Sequence, residues 1–93
     1  MHVVIQHRIT DPESFFSGSA EEVVQNAPPG VHGRQFLVSQ DRSAAVCLWE
    51  AGSVDDLKAY MEPLTGEASE NTYFEVNKEY TMGLPEEAGA SAQ

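Results

Sequence analysis

The stretch AAVCLWEAGSVDDLKAYM, residues 44–61, constrains the fold more than any other part of the chain. Ala44 to Trp49 carry no charge and are apolar at odd and even positions alike. A short run with two apolar faces suits a central strand rather than an edge strand. Ala51-Gly52 frees the backbone to turn. Ser53 then serves as an N-cap, with Asp56 three residues on, the capping-box spacing with Asp in place of Glu or Gln. Asp55 and Asp56 place negative charge at the positive end of the helix dipole. Val54, Leu57, Tyr60, Met61 and Leu64 recur at steps of three and four and so share one face. Lys58 and Glu62 point away as a weak helical pair. Pro63 is expected to end or kink the helix near Glu62.

The other segments arrange themselves around this unit. Residues 2–9, HVVIQHRI, predict a strand with Val3, Ile5, His7 and Ile9 on one face and His2, Val4, Gln6 and Arg8 on the other. Both faces carry apolar groups, so this strand too is expected to be central. Thr10-Asp11-Pro12 is turn chemistry, with Asp11 or Thr10 able to cap a short helical turn over 12–16 that Phe15 and Phe16 anchor. Ser17-Gly18 breaks that turn, and Ser19 caps a helix over 20–26, with Glu22 at the capping-box position. Residues 31–40 predict the second strand, in which Gly33 marks a bulge or a close backbone approach. The polar residues 40–43 form a hairpin turn. Residues 65–71 read as a loop or fraying turn. Residues 72–80 alternate as a half-exposed edge strand, with Phe74 and Val76 on one side and Tyr73, Glu75, Asn77 and Glu79 on the other. Residues 83–93 offer little to bury and read as a disordered acidic tail behind a domain of residues 1–82.

The resulting order, β-α-β-β-α-β, is the ferredoxin-like pattern of the α+β class. It implies an antiparallel sheet of order 4-1-3-2, with strands one and three central and both helices on one face. The opposite face has mixed polarity, and a second copy commonly closes such a face into a two-fold barrel. At 93 residues the chain makes one domain with a limited core, so burying a further face by self-association would help it. A net charge of −10, with only five Lys and Arg, argues against a nucleic-acid partner and against anionic membrane surfaces. There is no run long enough for a membrane helix and no signal-peptide pattern, so the expected location is cytoplasmic. Cys47 is the single cysteine, which leaves no internal disulfide.

VCLWEAGSVDDLKAYM, followed later by NTYFEV, resembles the dimeric α/β-barrel superfamily and small bacterial ferredoxin-like proteins within it. In those a strand ending in aromatic-Glu-Ala runs straight into a Ser- or Asp-capped helix. The superfamily includes antibiotic-biosynthesis-type monooxygenases and haem-degrading monooxygenases, and one relative of the small bacterial kind binds nickel. The resemblance covers residues 2 to 80. It implies a homodimer and, in the haem-degrading branch, an amide on the first strand, a sheet Trp and a His on the second helix. Gln6 and Trp49 answer to the first two, whereas the second helix carries no His, so haem is not expected. No cofactor is assigned.

The candidate catalytic residues are His7, Gln6 and Trp49. A His that looks toward the helices from mid-strand, beside Trp49 or Phe74, can act as a general base or hold a ligand oxygen; it can equally be a hydrogen-bonded core histidine. Trp49 reads as a core or pocket-wall residue. The candidate ligand-binding residues are His32, Arg34, Phe74 and Tyr60. His32 and Arg34 together would attract an anionic group, or be a solvated edge, and Arg8 and Glu75 would pair with each other or across a dimer. Cys47 sits among apolar neighbours and reads as core, since a catalytic thiolate needs exposure and positive surroundings. His2, His7, His32, Glu50 and Glu75 could ligate a metal, but none has a ligand spacing. Two readings follow. One is a small-ligand protein acting without a cofactor, as a monooxygenase or as a cyclase or isomerase on an organic substrate. The other is a non-catalytic module that binds metal or a partner protein.

Overall fold

Alternation along the first strand sets the layers. In β1 (His2–Ile9), Val3, Ile5, His7 and Ile9 are buried while Gln6 and Arg8 are exposed. The computed structural model, which describes residues 1–85, continues with the short helices α1 (Pro12–Phe15) and α2 (Ala20–Gln25) and strands β2 (His32–Val38) and β3 (Ala44–Glu50). Helix α3 (Val54–Thr65), strand β4 (Ser69–Glu75) and a 3₁₀ turn (Lys78–Tyr80) complete the described chain. The strands form one antiparallel sheet in the order β2-β3-β1-β4, which is the expected order read from its other edge. Both strands expected to be central are central. Residues 86–93, most of the expected tail, lie outside the described residues.

Side chains directly opposite one another in a sheet share a face. Ile5 stands opposite Cys47 and Tyr73, and Val3 opposite Trp49, so these residues look toward the helices. With Leu57 and Met61 of α3, Val31 and Ala51 they make the core. The caps form as the residue types require. Asp11 accepts from the Ser14 N–H (3.3 Å), Ser19 from Glu21 (3.1 Å) and Ser53 from Asp56 (3.0 Å). Gly33 satisfies both expectations attached to it. The β2–β3 register shifts between Gly33 and Gln35, and a Cβ at Gly33 would stand 2.7 Å from Val24 Cγ2 and 3.2 Å from the Trp49 ring.

The structure corrects the sequence reading in helix α3 and in strand β4. Helix α3 does not stop near Glu62 but runs through Pro63 to Thr65. Pro63 stands in the last turn, where its missing N–H forfeits one bond only, and the Gly66 N–H still donates to the Glu62 carbonyl (2.8 Å). Strand β4 begins at Ser69, inside the expected loop, because β1 is long enough to pair Ile9 with Ser69, Arg8 with Glu70 and His7 with Asn71. It ends at Glu75 rather than residue 80, because the Asn77 side chain accepts from the Glu79 N–H (3.0 Å) and turns the chain. The phase of β4 is also reversed. Tyr73 faces the helices, whereas Phe74 pairs with Val4 on the opposite face and is 45 % exposed.

No helix among the described residues is long and apolar enough to cross a membrane. The face of the sheet away from the helices carries Gln6 and Arg8 and the exposed apolar side chains Leu37, Val46 and Phe74. Arg8 there bonds its cross-strand partner Glu70, not Glu75.

Candidate functional site

A cavity of about 400 Å³ lies between the sheet and the α1–α2 segment. Its floor is His7, Cys47 and Trp49 from the two central strands. Phe15, Phe16, Val23 and Val24 form its roof, Phe36 and Arg34 of β2 one wall, and Met61 and Leu64 of α3 another. Helices α1 and α2 contain no buried residue, so they act as a cover rather than as core. Half-buried Val23 packs against the core, and three further contacts hold the cover down. The Tyr60 hydroxyl donates to the Val23 carbonyl (2.6 Å), the His7 and Phe15 rings meet edge to face at 5.2 Å, and the Arg42 guanidinium lies 5.1 Å above the Phe16 ring.

His7 is the buried titratable group of the floor, and a chain of hydrogen bonds fixes which of its nitrogens carries the proton. Glu62 is the fixed point of that chain. Its Oε2 accepts from the Tyr73 hydroxyl (2.5 Å) and from Asn71 Nδ2 (2.7 Å). These bonds, Tyr73's first, hold its carboxyl below the usual range and keep it ionised at neutral pH. A carboxylate only accepts, so Asn71 must present its NH₂ to Glu62; the same group also donates to Thr65 Oγ1 (2.9 Å). Asn71 Oδ1 therefore faces inward, where it accepts from Ser69 Oγ (2.7 Å) and from His7 Nδ1 (2.7 Å). All four hydrogen-bonding positions of the amide are used. The proton of neutral His7 is thus on Nδ1, and Nε2 carries the lone pair.

That lone pair points at sulfur. Cys47 Sγ lies 3.1 Å from His7 Nε2, so the thiol donates to the imidazole. Burial pushes the Cys47 thiol up to about 12, and burial lowers the pKa of His7 against the opposing pull of Asn71 and Glu62. At neutral pH the pair is therefore a neutral thiol beside a neutral imidazole.

The residues expected to form the site are divided by the sheet. His7 and Trp49 meet on the cavity floor, and Tyr60 packs its ring edge-on to Trp49 at 6.2 Å. Arg34 is the extra residue of the β2 bulge; it lines the cavity while its Nε bonds Glu50 Oε2 (3.1 Å). Gln6 is excluded because it neighbours His7 in sequence and so points through the opposite face. Phe74 is excluded by the phase of β4. His32 pairs with Glu50, is exposed, and is not part of the cavity wall. The register sets His32, Glu50 and His2 in one row, yet among the described residues no group of three or more His, Cys, Asp or Glu could hold a metal. His2 is buried with neither ring nitrogen hydrogen-bonded.

Sequence reasoning missed Asn71, Glu62, Tyr73 and Cys47 as partners of His7. From sequence, Asn71 falls in an expected loop, Tyr73 on the strand side opposite Phe74, and Glu62 on the side of its helix that points away. Once His7 is placed inward on a central strand, the signal available was the polar residues of the next strand, one of which must answer it. No family model matches the chain, and no curated protein or solved structure does either.

Proposed function

We propose that this chain is a ferredoxin-like protein of the dimeric α/β-barrel type that binds a small organic molecule in the cavity between sheet and helices. His7 acts there through Nε2 as hydrogen-bond acceptor and general base. The reading rests on one observation: a largely apolar cavity of about 400 Å³ has a buried histidine in its floor whose tautomer Asn71 dictates. Ligand sites are typically concave and mainly apolar, with a few placed polar groups, and this volume is within their usual range. A base held at a fixed orientation in a mainly apolar pocket suits proton transfer on carbon, as in a cyclase or isomerase, or deprotonation of an electron-rich substrate before oxygen attacks it. Arg34 at the wall favours a substrate with a carbonyl or carboxylate oxygen.

A second copy is the proposed cover for the other sheet face. Leu37 there is 62 % exposed with its cross-strand partner Val46 beside it, and Phe74 lies on the same face at the opposite edge of the sheet. Native mass spectrometry of the untagged protein tests the assembly and reveals carried ligands; a dimer is expected, and Leu37→Asp with Val46→Asp should yield monomer. The cavity is tested by titrating ¹⁵N-labelled protein with small cyclic ketones and phenols. Shift changes should concentrate at Phe15, Phe16, Phe36 and Trp49. A panel that moves none of these residues overturns the pocket reading, and a monomeric wild type overturns the barrel.

A further inference from the structure

Cys47 and His7 are more than neighbours in a core. A nucleophile, a base within hydrogen-bond reach of it, and a third group that orients the base are the arrangement that activates cysteine in covalent catalysis. Here the distances are 3.1 Å from Cys47 Sγ to His7 Nε2 and 2.7 Å from His7 Nδ1 to Asn71 Oδ1. Both Cys47 and His7 line the cavity. We propose that Cys47, His7 and Asn71 form a nucleophilic centre that adds the Cys47 thiol to a conjugated carbonyl compound held in this cavity. The proposal deepens the small-ligand reading above and rests on it.

The step balances without any further reagent. His7 Nε2 takes the thiol proton as the sulfur bonds to the β-carbon of the enone and the C=C π bond breaks. The imidazolium then returns that proton to the α-carbon, leaving a saturated thioether adduct and neutral His7. Reversal of the same path releases the enone, and in an open-chain enone rotation about the former C=C bond before the sulfur leaves would interconvert its cis and trans forms. Asn71 is a positioning residue. It accepts from Nδ1–H in both protonation states, and the ionised Glu62 behind it favours the transient imidazolium. Two features match the substrate class. The apolar walls accept a hydrocarbon ring or chain, and a thiol that is protonated at rest spares Cys47 from non-specific oxidation until an electrophile sits beside it. A free thiolate would offer no such selectivity.

The test uses the whole chain, with 2-cyclohexenone as electrophile and cyclohexanone as its saturated counterpart. Intact mass should show one enone added, mapped to Cys47 and absent in Cys47→Ser. The rate should vary little between about pH 6.5 and 8, because the proton moves to His7 rather than to solvent. A simple buried thiol would instead react about tenfold faster per pH unit. His7→Gln should slow the addition by about 100-fold, the scale of general base catalysis, and Asn71→Leu, which frees the His7 tautomer, should slow it and make the rate rise with pH. Wild type unfolded in urea gives the intrinsic thiol rate against which a destabilised variant is judged. If cyclohexanone shifts the cavity amides but the enone never bonds Cys47, or bonds it at a rate that rises steeply with pH and ignores His7, the nucleophilic centre is overturned and the pocket stands. If neither compound binds, both readings fall.

Discussion

Asn71→Leu keeps the branching and heavy-atom count of the side chain and removes every hydrogen bond that side chain makes, so it isolates the network beneath His7. The four bonds do not cost the same. Glu62 and Thr65 are only half-buried, so water can replace the amide there. The Ser69 hydroxyl retains a second acceptor, the Thr65 carbonyl at 3.2 Å. His7 Nδ1–H has no alternative partner, and an orphaned buried donor costs about 1–3 kcal/mol. Moving the proton to Nε2 offers little relief. The N–H would then face a sulfur, a weak acceptor, and the Nδ1 lone pair would be orphaned instead. The expected loss is about 2–3 kcal/mol, most of it from His7. For a chain of this size that lowers the melting temperature by about 10–20 °C. Urea unfolding followed by the fluorescence of Trp49, the single tryptophan, measures the loss directly, and the slope against urea should not change. Imidazole ¹⁵N shifts report the tautomer. A loss under about 0.5 kcal/mol, ordinary for a surface substitution, would refute the reasoning. So would a wild-type His7 protonated on Nε2.

Three further outcomes follow from the same geometry. Burial lowers the His7 pKa, so on acidification the unfolded chain takes up this proton first. The His7 contribution is therefore complete above about pH 6.5 and is lost as the pH falls from there toward the folded value, by at most about 1.4 kcal/mol per pH unit. Urea midpoints measured across this range should show that slope, and His7→Gln should remove it. Glu62, held low by Tyr73 and Asn71, acts in the same sense further down; its contribution is present above its ordinary value of 4.5 and fades as the pH drops below it. Tyr60→Phe deletes the bond to the Val23 carbonyl and should cost about 1 kcal/mol, with hydrogen exchange rising in α2 and not in β1 or β3; uniform acceleration would contradict the assignment of α1–α2 as a separable cover. Gly33→Ala places a methyl against Val24 and the Trp49 ring, so a destabilisation of about 1–3 kcal/mol and a shifted Trp49 emission are expected; a neutral effect would mean that the cover yields freely.

The sequence made the sheet legible because its two central strands carry apolar residues on both faces, a pattern that edge strands do not need. Ser53 and Ser19 made the helix starts legible because a capping hydroxyl must precede the first free N–H groups. Strand β4 was not legible in phase. Tyr73 and Phe74 are adjacent aromatics, so alternation alone cannot say which one faces the helices, and pairing with β1 decides it. The polar segment 65–71 hid three strand residues for a related reason. Ser69 and Asn71 are poor strand formers taken one at a time, and they are held in the sheet by bonds to Thr65, Glu62 and His7 that only the tertiary fold supplies. His7 and Trp49 were found because they are unusual residues on apolar positions. Cys47 reads as core from its apolar chain neighbours, and the structure places it there; what the sequence does not show is the His7 imidazole reaching its sulfur from the next strand, where Ile5, not His7, is its register partner.

Floor and roof of the cavity are held by different physics, and that difference bears on what the cavity can do. The floor is two central strands, with His7 tied through Asn71 to Glu62 and Tyr73, so its groups are oriented before anything binds. The roof is two short helices with no buried residue, joined to the rest by half-buried Val23 on the core, a hydroxyl, an aromatic edge and a cation over a ring. Structure of the second kind opens at low free-energy cost, whereas structure of the first kind opens only with global unfolding. A molecule can therefore enter by lifting α1–α2 without disturbing the His7–Cys47 geometry. Once inside, it makes apolar contact with Phe15, Phe16, Val23 and Val24. Binding should thus be read most strongly as protection of α1–α2 amides. A ligand that instead protected only β1 and β3 would be acting on the wrong side of the sheet.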